Sequence, residues 1–168
     1  NVDWSGGQMD RAEIFFQAEA SAGGSNRGWK IHDNDFLGFP MMGAIGVLTG
    51  KGSSTDPRAI ENIMIHNNRF DGLSDACVYA ANGEVSVMGN TMVNCANWGG
   101  GAPLGGSLIR LGQGRAKVQG NTAFRPNNPY GNPYRVGVQC DGPSHSRRKI
   151  YTDNDWYDYG DRPILGTP

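Results

Sequence analysis

Five times the chain writes nearly the same phrase: WKIHDN (29–34), IMIHNN (63–68), VSVMGN (85–90), AKVQGN (116–121) and KIYTDN (149–154). Each closes on an asparagine (Asn34, Asn68, Asn90, Asn121, Asn154), with spacings of 34, 22, 31 and 33 residues. A more regular ladder lies between them: Phe16, Val47, Val78, Ile109 and Val138 step by 31, 31, 31 and 29. Each rung has a companion two places earlier (Ile14, Ile45, Ala76, Ser107, Val136) and another two places later (Ala18, Thr49, Ala80, Leu111, Cys140). A period of two inside a segment is the signature of a strand, and a long fixed period between segments is that of stacked coils. The expectation is an all-β solenoid of about five coils, at approximately 1–34, 35–68, 69–90, 91–121 and 122–168 of a single domain, 1–168.

Within the phrase, alternation turns Ile31, Ile65, Val87, Val118 and Tyr151 inward, and Phe36, Phe70, Met92 and Trp156 follow them past the corner. A recurrent Asn suits such a corner. It tolerates the left-handed conformation, and its amide can bond the equivalent amide one coil away. The short strands that follow the Asn lie within DFLGF, RFDGL, TMVNC and NDWYD.

Composition agrees with many short strands joined by turns: 26 Gly and 9 Pro stand against 18% charged residues, without an amphipathic helical run. A net charge of −1 offers no field to recruit nucleic acid or an anionic membrane. There is no apolar stretch long enough for a spanning helix, and no signal peptide is visible. The first residue is Asn1 rather than Met, which reads as a processed or excised chain. Cys77, Cys95 and Cys140 are too scattered for a paired metal motif and are expected to be buried thiols.

The repeated Asn corner and the strand ladder, running from about Ile14 to Leu165, resemble the right-handed parallel β-helix of the pectate-lyase-like superfamily. That resemblance implies a single-stranded right-handed parallel β-helix with an Asn ladder between the second and third strands of each coil. Polysaccharide lyases, glycoside hydrolases, esterases, epimerases, autotransporters and phage tailspikes share the coil, so it implies an architecture before it implies an activity. Members of the superfamily carry more coils than five and a capping helix. The chain is therefore expected to be a fragment of a longer β-helix, or to have its coil ends covered by partner chains, as in a homotrimer.

The resemblance also places a substrate groove along the outer face of the first strand of each coil. The outward positions there are Gln17, Leu48, Tyr79, Arg110 and Gln139. At about 4.8 Å per strand this row would span roughly 19 Å, the length of a short oligosaccharide. Two extended connections, NCANWGGGAPLGG (94–106) and RPNNPYGNPY (125–134), would flank it. They carry Trp98, Tyr130 and Tyr134, rings on which sugars can stack or which can fold back to anchor the loops. Substrate binding is accordingly assigned to Tyr79, Trp98, Tyr130, Tyr134 and Gln139. Arg110 is the candidate catalytic residue, as base or charge neutraliser of a lyase.

Other candidates are weaker. His32 and His66 hold equivalent outward places on adjacent coils, but Met88 and Gln119 come next, so stacking is expected rather than metal binding. DNDWYDYGD (153–161) is acidic yet lacks the spacing of a calcium loop, and NWGGGAPLGG is not a phosphate-binding glycine motif. No cofactor is expected, and calcium is unsupported. Glycoside hydrolysis needs two carboxyls roughly 5 to 9.5 Å apart. Glu19 and Asp141, two places beyond the outward row, are four coils apart. The functional expectation is an extracellular module, secreted or virion-associated, that recognises a polysaccharide or cell-surface glycan and, as a lyase or glycoside hydrolase, could cleave it. The alternative is a non-catalytic structural shaft or adhesin segment of a phage tail or cell-surface protein.

Overall fold

The computed structural model describes residues 11–16, 26–38, 44–49, 60–73, 75–80, 83–96, 107–112, 114–124, 136–140, 149–156 and 164–165. Among them the chain is all-β, with eighteen strands and no helix. In chain order these are β1 (Arg11–Phe16), β2 (Asn26–Arg27), β3 (Lys30–His32), β4 (Asp35–Leu37), β5 (Ala44–Thr49) and β6 (Ile60–Glu61). Then come β7 (Ile63–His66), β8 (Arg69–Asp71), β9 (Val78–Ala80), β10 (Glu84–Met88), β11 (Thr91–Val93) and β12 (Ser107–Leu111). The last six are β13 (Arg115–Gln119), β14 (Thr122–Phe124), β15 (Val136–Cys140), β16 (Lys149–Thr152), β17 (Asp155–Trp156) and β18 (Ile164–Leu165).

From β7 onward the chain visits three sheets in rotation. The first sheet runs β1-β5-β9-β12-β15-β18, the second β16-β13-β10-β7-β3 and the third β17-β14-β11-β8-β4. A small fourth sheet pairs β2 with β6. Neighbouring strands are parallel, each pairing with the strand one circuit further along the chain. Local sequence explains the short strands: β10 and β13 share one burial pattern, an exposed residue followed by strict alternation, because EVSVM and RAKVQ both place small or branched apolar residues at every second position.

The core forms by stacking these apolar rows. Ile31, Ile65, Val87 and Val118 are buried in register along the second sheet, and Tyr151, half-buried, ends the row. Phe36, Phe70, Met92 and Ala123 do the same along the third, with Trp156 next in line. The Phe36 and Phe70 rings stack at 4.6 Å and 14°. The thiols Cys77, Cys95 and Cys140 are free and buried, as expected.

Two features depart from the expected pattern. Phe16 pairs with Thr49, while Ile14 pairs with Val47, so the first step of the 31-residue ladder is displaced by two residues. A slip of two keeps each residue on its own face, so apolar periodicity is blind to it and only the strand hydrogen bonds decide. From Val47 the expected register holds: Val47 pairs with Val78, Val78 with Ile109 and Ile109 with Val138.

The second departure concerns the corner. The left-handed residue is the one before the ladder Asn: Asp33, Asn67, Gly89, Gly120 and Asp153 have φ between 55° and 63°. The Asn itself turns its amide inward, where it bonds. Asn90 Nδ2 donates to Asn121 Oδ1 at 2.9 Å and to the Ile65 carbonyl at 2.9 Å. Its Oδ1 accepts from the backbone N–H of Asn68 at 3.0 Å and from Asn68 Nδ2 at 3.1 Å. The same contacts run unbroken from Asn34 to Asn154. The sequence carried the signal in its DN, NN, GN, GN and DN pairs, since Gly, Asn and Asp are the residues that tolerate φ > 0.

Candidate functional site

The outer row of the first sheet is built by register alone. Leu48 pairs with Tyr79, Tyr79 with Arg110, Arg110 with Gln139 and Gln139 with Leu165. Phe15 precedes Leu48 in the row, at the place expected for Gln17, which lies outside the described residues. Tyr79 and Arg110 are half-buried. The Arg110 guanidinium carbon lies 4.8 Å from the centre of the Tyr79 ring, a cation–π contact that orients both groups. Gln139 is only 4% exposed, so the open face expected along the whole row is closed at that rung.

A carboxyl that strand periodicity does not reveal joins this cluster. Asp75 stands in the short connection from β8 to β9, half-buried, and its Oδ1 accepts the Ala76 backbone N–H at 2.9 Å. Burial pushes its carboxyl above the ordinary value of 3.8, while the Ala76 hydrogen bond and the positive charge of Arg110 pull the other way. Asp75 escapes a reading built on alternation because it belongs to no strand. Its only sequence signal is its place in SDAC (74–77), directly before the strand that carries Tyr79.

The structure thus brings together Tyr79, Arg110 and Gln139, and adds Asp75. Trp98, Tyr130 and Tyr134, with Glu19 and Asp141, lie outside the described residues. Chemically, the described cluster offers an oriented planar cation, an aromatic face and a carboxyl whose proton is held more tightly than in water.

On the second sheet, His32 and His66 stack at 4.9 Å and 8°, and His32 Nδ1 lies 2.7 Å from Asp33 Oδ2. Stacking is therefore their geometry. Among the described residues there is no group of three metal-capable side chains. In the acidic segment, Asp153 Oδ2 accepts from Gln119 Nε2 at 3.3 Å, and residues 157–161 lie outside the described residues. No family model, curated protein or solved structure matches the chain.

Proposed function

We propose that the chain is a segment of a right-handed parallel β-helix that recognises a polysaccharide or cell-surface glycan along the outer face of its first sheet. The observation that carries this reading is the Arg110 guanidinium held over the Tyr79 ring, with the Asp75 carboxyl acting on it. An aromatic face, a planar cation and a hydrogen-bonding carboxyl are the groups a hydroxyl-rich ring needs. Tyr79 to Arg110 spans one strand spacing, about 5 Å, on the scale of a single sugar ring. Trp98 and Tyr130, with Tyr134, precede β12 and β15, the strands that bring Arg110 and Gln139 into the row. That order supports placing their rings at its walls. Such a module works outside the cell, secreted or on a virion, and its coil ends are covered by further coils or partner chains.

Cleavage is the finer part of the proposal, with Arg110 as base or charge neutraliser. A glycan array on the folded protein, followed by reducing-sugar and unsaturated-uronate assays on any hit, separates the possibilities. Binding lost about tenfold or more in Tyr79→Ala and Arg110→Ala supports the site, and product formation makes it an enzyme. A folded protein that binds no glycan sinks the reading. The burial of Gln139 favours a second one, in which the coil is a non-catalytic shaft or adhesin segment and the face is packed rather than offered to ligand.

A further inference from the structure

At the corner between the third and first sheets the fold brings two buried nucleophiles into contact. Cys77 immediately precedes β9, and Cys95 lies two residues beyond the end of β11, so each occupies the same kind of corner in successive circuits. Backbone bonds hold the two corners together: Gly72 N–H donates to the Val93 carbonyl at 2.9 Å and Ala96 N–H to the Leu73 carbonyl at 2.8 Å. Cys77 is anchored again by its own N–H, which donates to the Leu108 carbonyl at 2.8 Å, and by its carbonyl, which accepts from Val47 N–H at 2.9 Å. Both side chains are wholly buried in one core, and a side-chain hydrogen bond with Cys95 is among the causes that keep the Cys77 thiol protonated. Cys95 Sγ also lies 3.2 Å from the Val93 carbonyl oxygen. Cys140 is engaged elsewhere, with its Sγ 2.9 Å from the Tyr151 hydroxyl.

We propose that Cys77 and Cys95 are a disulfide site, closed when the chain folds in an oxidising compartment, and that the bond ties together the corner carrying Asp75 and leading into Tyr79. The oxidant is a small-molecule disulfide such as oxidised glutathione. One cysteine thiolate attacks it, forming a mixed disulfide and expelling one glutathione thiolate. The second cysteine, deprotonated in turn, displaces the other glutathione. In sum, two protein S–H bonds and the oxidant's S–S bond are lost, and one protein S–S bond and two glutathione S–H bonds are formed. Burial, together with the neighbouring Cys95 thiol and the Asp75 charge, disfavours the Cys77 thiolate in the finished fold. Closure therefore belongs to folding, before the corner is sealed, and the finished bond is shielded from reductant. It encloses residues 78–94, a loop long enough for the restriction of the unfolded chain to be felt.

The inference does not depend on the glycan reading, and its test is separate. The protein is produced in an oxidising secretory compartment, purified without reductant, alkylated under denaturing conditions and mapped by mass spectrometry. The expected result is one cross-linked peptide pair joining Cys77 to Cys95, two hydrogens lighter than the sum of its parts, with Cys140 alone alkylated. Full reduction should lower the melting temperature by about 5 to 10 °C, and a Cys140→Ser variant should behave the same way. Three alkylated cysteines in the folded protein, or a linkage that includes Cys140, would overturn the proposal.

Discussion

A buried carboxamide is expensive unless all of its hydrogen-bonding capacity is used, and Asn90, at 1% exposure, uses all of it: two donors given and two acceptor sites filled. Asn90→Ala leaves two donors on Asn68, the Asn121 oxygen and the Ile65 carbonyl each short of a partner, so it should cost about 1 to 3 kcal/mol in urea unfolding. Asn34→Ala, at the exposed end of the described ladder, should cost less. Asp75 poses the opposite case. Its folded pKa is raised, so the folded state holds a proton that the unfolded state has already released. The associated stability is full below the ordinary carboxyl value and is lost as pH rises through the folded one. Asp75→Asn keeps an acceptor for the Ala76 N–H and cannot ionise. It should match the parent near pH 3 and melt above it at pH 7, and a parent more stable than the variant at pH 7 would contradict the assignment.

At the scale of the element, the corner and the strand depend on different residues. Gly89 and Gly120 hold the left-handed position, where a β-branched side chain is badly strained. Gly120→Val should cost about 1 to 3 kcal/mol, whereas Gly120→Asn should be nearly neutral, because Asn67 already holds the same place two circuits earlier. Gly46 is required for a different reason: a Cβ there would lie 2.7 Å from both the Phe70 ring and the Cys77 carbonyl oxygen. The strands themselves rest on register. Val78 and Ile109 are paired and wholly buried, so Ile109→Ala should cost about 2 to 4 kcal/mol. In a double-mutant cycle with Val78→Ala the two should couple by about 0.5 kcal/mol or more. Strict additivity would mean that they do not touch, and the register of the first sheet would have to be redrawn.

Among the described residues the parallel strands stack circuit upon circuit, and ladder partners lie 22 to 34 residues apart in the chain. Each contact must therefore close a long loop before it is rewarded, and refolding followed by stopped-flow fluorescence should take milliseconds to seconds or longer. The sequence by itself determined the parallel stacked rows, the inward residues and the Asn ladder, because a repeat imposes the same local problem on every circuit and answers it with the same residue types. Tertiary structure decided the rest. Hydrogen bonding between strands chose the first register step, where a slip of two leaves every residue on its own face. Backbone geometry at the corner moved the left-handed turn one residue ahead of the Asn. Only the folding of one circuit onto the next brought Asp75 within reach of the Arg110 charge and Cys77 against Cys95, since neither pair holds equivalent places in successive circuits and only equivalent places leave a periodic mark on a chain.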